Sequence, residues 1–307
     1  MRTRLLNRME TGPAEERRPL RAVALLPSAA TLGNLLCGFF AIVLCLLSIR
    51  AGFYEVPRRA IHPQLQEFFP SYLAVAAYLI VAAMVFDALD GRLARLARRT
   101  SEFGAQLDSI ADIVSFGVAP ALLHLTLFLR LAVRPDGPPE IMKVQWHMAL
   151  VAIMVYVSCA AIRLARYNTE NIEDEAAQRR FSGLPTPGGA AALCAAMLLH
   201  EDLAFMKSAL FGIDWASVLR WGIPPLVFAV GLLMVSRVNY VHVFNEYVRR
   251  EHPPIHLVWL LVAIGICFYW PQGFLALLAT AYLLSGLVLH FRASASPAPD
   301  ADDTDMD

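Results

Sequence analysis

The chain has 307 residues, 57% of them hydrophobic and 17% charged, and its mean hydropathy is +0.51. Such a composition excludes a soluble globular protein and points to an all-α polytopic integral membrane bundle. Lys and Arg balance Asp and Glu at 26 each, so there is no bulk positive charge to hold nucleic acid.

In chain order, residues 1–24 mix Arg, Glu, Pro and Gly with little periodicity. They read as a basic N-terminal segment whose charge is topogenic, weak attraction to anionic headgroups being the alternative. Apolar runs near the ~20 residues that a hydrocarbon core requires follow at 32–49, 72–89, 108–129, 147–164 and 188–200. Further runs at 219–235, 256–269 and 272–291 bring the expectation to about eight transmembrane helices. The first is expected to remain as an uncleaved signal anchor. Residues 25–240 form the membrane core in this reading and 241–292 add C-terminal transmembrane helices. Residues 293–307, rich in Ser, Pro, Ala and Asp, form a disordered acidic tail.

Arginine sets the orientation. It clusters from Arg2 to Arg21, from Arg92 to Arg99, from Arg163 to Arg180 and from Arg237 to Arg250. All four groups fall on one side of the runs, which the positive-inside rule makes cytoplasmic, although Arg50, Arg58 and Arg59 weaken the contrast. Both termini are then cytoplasmic, in a multi-pass protein of the inner, cytoplasmic cell membrane. The five cysteines lack metal-ligand spacing and read as small apolar residues. His147, His200 and His256 sit near span ends as interfacial residues, and the tryptophans, Trp270 included, as belt or packing residues.

The chemistry is carried by Asp87-x2-Asp90-Gly91-x2-Ala94-Arg95-x8-Gly104-x3-Asp108-x3-Asp112. Residues three or four apart share a helical face. Asp87, Asp90, Gly91 and Ala94 therefore line one face at the end of the second span, and Gly104, Asp108 and Asp112 one at the start of the third. A short basic link makes the two helices antiparallel neighbours, so the acids can converge. Four carboxylates in one pocket repel one another, and divalent cations relieve the repulsion. Hard oxygen ligands select Mg²⁺, Mn²⁺ or Ca²⁺, and a pair of such ions can clamp phosphate oxygens. The small residues admit close backbone approach, and Arg95 offers a fork for phosphate. Two competing readings are acids paired with nearby arginines in an ordinary loop, and a cation channel or transporter with acids along its path. Here the acids gather at one edge.

This run resembles the signature of the CDP-alcohol phosphotransferase family, with every specified position present. The segments 26–34, 115–120, 163–168 and 181–187 resemble the serine-using bacterial and archaeal branch of that family. Ser28 departs from the Asn of many members. The resemblance implies the CDP-alcohol phosphotransferase fold and transfer of a phosphatidyl group from CDP-diacylglycerol to L-serine, with release of CMP. It implies Asp87, Asp90 and Asp108 as metal ligands for Mg²⁺ or Mn²⁺, two ions in all, and Asp112 as general base with a possible metal contact. Thr31, Asn34, Asp90, Gly91, Ala94, Arg95 and Gly104 would meet CDP-diacylglycerol, with interhelical hydrogen bonding or a helix start the alternative for Thr31 and Asn34. Arg163 and Arg166, one turn apart, would take the serine carboxylate, topogenic or snorkelling arginine being the alternative. A homodimer is implied, as is a site open to both cytosol and bilayer. The nearest alternative acceptors are glycerol 3-phosphate, inositol phosphate and choline.

Overall fold

The computed structural model describes residues 21–49, 69, 71–97, 102–132, 140–170, 183–206, 209–210, 213–238, 240 and 255–295. Nearly all of them are helical. α1 spans Arg21–Ile49 and α2 Tyr72–Ala97. α3, Glu102–Asp112, passes through a π-helical turn at Ile113–Val118 into α4, Ala119–Ala132. α5 covers Glu140–Glu170 and α6 Thr186–Met206. A two-residue hairpin follows, with β1 at Ala209–Leu210 antiparallel to β2 at Ile213–Asp214. α7 is Trp215–Val235, α8 Ile255–Tyr269 and α9 Pro271–Ala295.

Local chemistry starts several of these helices. Ser71 Oγ accepts the Ala74 N–H at 3.1 Å at the head of α2, as an N-cap does. Asp214 accepts the Ser217 N–H at 3.3 Å and the Ser217 hydroxyl at 2.5 Å ahead of α7. Hydrogen bonding from Ser217 holds the Asp214 carboxyl below its ordinary range. Pro187 lies in the first turn of α6, where a missing N–H is harmless.

Every apolar run read from the sequence is helical. Among the described residues seven helical stretches are long and apolar enough to cross a membrane, which makes this a multi-pass membrane chain. Among the described residues α8 has 15 residues, about 22 Å at 1.5 Å per residue, short of a ~30 Å hydrocarbon core. α1 begins at Arg21, inside the stretch read as an N-terminal segment, and α9 runs to Ala295, into the stretch read as a tail. Residues 1–20 and 296–307 lie outside the described residues.

α1 packs along α2, α5 along α7, and α6 touches α2, α7 and α9. α6 is the central helix, with 67% of its apolar window buried. Small residues allow this, among them Ala190, Ala192 and Cys194, which are all buried. Lipid is as apolar as a leucine side chain, so close backbone packing rather than hydrophobic exclusion holds such helices together. The described cysteines are all free thiols. Two residues near span ends find polar partners on α6, His200 as a buried residue and Trp270 as an exposed one. His200 is 5% exposed, with Nδ1 3.3 Å from Glu201 Oε1, and Trp270 Nε1 donates to Asp202 Oδ2 at 2.7 Å. In each case a buried acid on α6 supplies the partner that bulk water would otherwise provide.

Candidate active site

α2 brings Asp87 and Asp90 to the junction with α3, which carries Asp108 and Asp112. Carboxylate oxygens of Asp87, Asp90 and Asp108 all lie within 4.8 Å of one another. Asp90 is 6% exposed. Its Oδ2 and the Oδ1 of Asp108 are buried without a hydrogen-bond partner. Three close carboxylates, two of them with orphaned oxygens, repel one another and lose solvation. A divalent cation with oxygen preference remedies both defects, so the donor set fits Mg²⁺ or Mn²⁺.

Asp112 is held differently. Asn34 Nδ2 on α1 donates to Asp112 Oδ1 at 3.1 Å. One turn earlier, the Thr31 hydroxyl reaches Asp90, as does the Gly91 backbone N–H. α1 thus contacts both acidic stripes. Both side chains are buried, Asn34 at 0% exposure. These two residues, expected at the nucleotide, meet the aspartates.

The close approach of α1 has a cause in Gly38. A Cβ there would stand 2.7 Å from Ser115 Cα, closer than carbon atoms can pack. With glycine at that point, Ser115 Oγ donates to the Asn34 carbonyl oxygen at 2.9 Å. Ser115 belongs to the π turn that follows Asp112. This network was not singled out from the sequence, although a serine inside an apolar run directly after Asp112 was the available signal.

Gly91 and Gly104 are half-buried beside the stripes. The backbone of Ala94 and Arg95 continues α2, and their side chains lie outside the described residues. Ser109, next to Asp108, and Asn168 of α5 exchange hydrogen bonds at 2.9 and 3.2 Å. That pair puts the last turns of α5, with Arg163 and Arg166, at the aspartate end of the bundle. Arg163 Nη1 donates to the Met234 carbonyl at 3.1 Å, near the C-terminus of α7, where a helix leaves carbonyls unpaired. Arg166 is exposed. The turn at Gly183, with φ +103°, lies against the same helix end, its N–H on Val238 O at 2.7 Å and that of Leu184 on Leu233 O at 2.9 Å.

A family model for CDP-alcohol phosphatidyltransferase matches residues 24–221, which contain all of these site residues. The chain belongs to that family. It is 32% identical over 215 residues to a Methanocaldococcus jannaschii protein named CDP-diacylglycerol--serine O-phosphatidyltransferase, covering 70% of this chain and 83% of the relative. Proteins of the same name from Mycobacterium bovis and Helicobacter pylori are 31% and 29% identical over 195 and 218 residues. Those matches cover 62% and 70% of this chain, and 59% and 78% of the respective relatives. The chain therefore spans well under two thirds of the mycobacterial protein. No solved structure matches.

Proposed function

We propose that this chain transfers the phosphatidyl group of CDP-diacylglycerol to the hydroxyl of L-serine, yielding phosphatidylserine and CMP. The observation that carries the reading is the close grouping of Asp87, Asp90 and Asp108, two of them with orphaned oxygens, beside a fourth aspartate, Asp112, held by an amide. The serine acceptor is supported by the names of the relatives.

Asp112 takes the serine hydroxyl proton, since an alcohol is a poor nucleophile until a positioned base removes it. The serine oxygen then bonds to the phosphorus that bears diacylglycerol. The bond from that phosphorus to the bridging oxygen breaks, and CMP leaves with the electron pair. Asp112 afterwards passes its proton to water. Asp87, Asp90 and Asp108, with Asp112 at their border, would hold two Mg²⁺ or Mn²⁺ ions, which supply positive charge against the diphosphate and the departing CMP.

Gly91, Ala94 and Gly104 leave room for the nucleotide, and Arg95 meets phosphate. Arg163, fixed through one nitrogen on Met234, keeps further N–H groups for the serine carboxylate, with Arg166 alongside. The acyl chains stay in the bilayer while the headgroup reaches a site on the cytoplasmic face, and the protein works as a homodimer.

The deciding experiment offers labelled CDP-diacylglycerol to purified protein with serine, glycerol 3-phosphate, inositol phosphate or choline, with and without Mg²⁺ or Mn²⁺. Metal-dependent phosphatidylserine and stoichiometric CMP are expected. Phosphatidylglycerol phosphate without phosphatidylserine would overturn the acceptor assignment.

A further inference from the structure

We infer that Asn34 is a positioning residue for Asp112 rather than a nucleotide contact, and that Ser115 in the π turn holds it in place. The inference rests on the reading of Asp112 as the base. An ionised carboxylate carries no donor, so the Asn34 amide must turn Nδ2 toward Asp112. That orientation leaves Asn34 Oδ1 buried with no hydrogen-bond partner, in a side chain at 0% exposure. A buried amide oxygen without a protein partner costs stability, but the same side chain spares Asp112 Oδ1 the larger penalty of a buried carboxylate oxygen without a donor. The polar residue is therefore explained by what its other end does.

That end fixes one oxygen of Asp112 and leaves Oδ2 to face the acceptor hydroxyl. The backbone of Asn34 is tied in turn: its carbonyl accepts the Ser115 hydroxyl at 2.9 Å across 81 positions of sequence. Ser115 lies three residues past Asp112, on the π turn that begins directly after it. The loop Asn34 to Asp112 to Ser115 and back to Asn34 is thus closed by two hydrogen bonds and one helical turn. Rotation of the Asp112 carboxylate is restrained from both sides of the α1 contact. Orientation of a reacting group acts on the rate of the chemical step and leaves substrate binding alone.

The test is Asn34→Leu, which keeps the volume and removes both the donor and the orphaned oxygen. The change also leaves Asp112 Oδ1 without its donor, so thermal unfolding in detergent should show some loss of stability, and kcat is read per folded protein. The kcat for CMP release should fall roughly 10- to 100-fold, the effect of losing one hydrogen bond to a charged group. KM for serine and for CDP-diacylglycerol should each stay within about twofold. Ser115→Ala, a milder change, should lower kcat a few-fold with the same unchanged KM values. A merely structural role predicts an unchanged kcat per folded protein, and a nucleotide contact predicts a raised KM for CDP-diacylglycerol at unchanged kcat; either result overturns the proposal. Asp112→Asn is measured in parallel. Normal turnover in that variant removes the base assignment itself, whereas an inactive Asp112→Asn beside a fully active Asn34→Leu removes only the role given to Asn34.

Discussion

The Tyr156 hydroxyl on α5 donates to the Phe116 carbonyl oxygen at 2.6 Å, inside the π turn that follows Asp112. A π turn widens the helix and alters its ladder of backbone bonds, and such turns recur at functional sites. Both residues are fully buried. Without the hydroxyl, the carbonyl would lose this partner in a medium with no water. Tyr156→Phe should therefore destabilise the protein by about 1–3 kcal/mol, measured by denaturant or thermal unfolding in detergent. Turnover should fall as well, because the turn fixes the direction in which α3 presents Asp112. Unchanged stability would mean that the π turn holds its shape without Tyr156.

Metal binding should separate the triad from the fourth aspartate. Asp87→Asn, Asp90→Asn and Asp108→Asn each remove a charge from oxygens that lie within 4.8 Å of one another. Each should weaken Mn²⁺ binding, followed by electron paramagnetic resonance, and lower CMP release by at least about 100-fold. Asp112→Asn should abolish turnover while retaining most of the Mn²⁺ signal, since its carboxylate is engaged by Asn34. Chelation should silence the parent enzyme reversibly, with activity restored by Mg²⁺ or Mn²⁺.

Gly38 sets the distance between α1 and the π turn. In Gly38→Ala the new methyl would meet Ser115 Cα at 2.7 Å, and the main chain must move to relieve the contact. Overpacking of this kind costs roughly 1–3 kcal/mol. Displacing α1 also stretches the Asn34–Asp112 bond, so kcat should fall further than the loss of folded protein explains. Activity normalised to folded fraction checks this.

Gly183 adopts φ +103°, a conformation that side chains rarely tolerate. A Cβ there would stand 2.6 Å from the Met234 carbonyl oxygen and 2.9 Å from Arg163 Nη1. Gly183→Ala should lower stability by about 1–3 kcal/mol through backbone strain. It should also dislodge Arg163 and raise the KM for serine, read at saturating CDP-diacylglycerol. A stability loss with an unaltered serine KM would argue that Arg163 serves only to cap α7.

Much of this protein was legible in one dimension. Apolar runs of spanning length identify membrane helices because the bilayer demands internal backbone hydrogen bonding and an apolar surface. The acids at 87, 90, 108 and 112 were legible as one group because helical periodicity puts them on matched faces. Helix limits were less secure, since Arg21 and Ala295 prolong their helices past the apolar stretch and hydropathy alone marks no hydrogen bond. Asn34 and Ser115 were invisible as a pair, because a contact across 81 positions is fixed only when Gly38 lets α1 close on the π turn. Tyr156 was hidden for a similar reason, its partner being a backbone carbonyl that only a distorted helix presents. The sequence by itself determined the acids and the membrane setting; the tertiary structure decided which three aspartates converge and which one takes an amide donor, because that depends on where a neighbouring helix offers one.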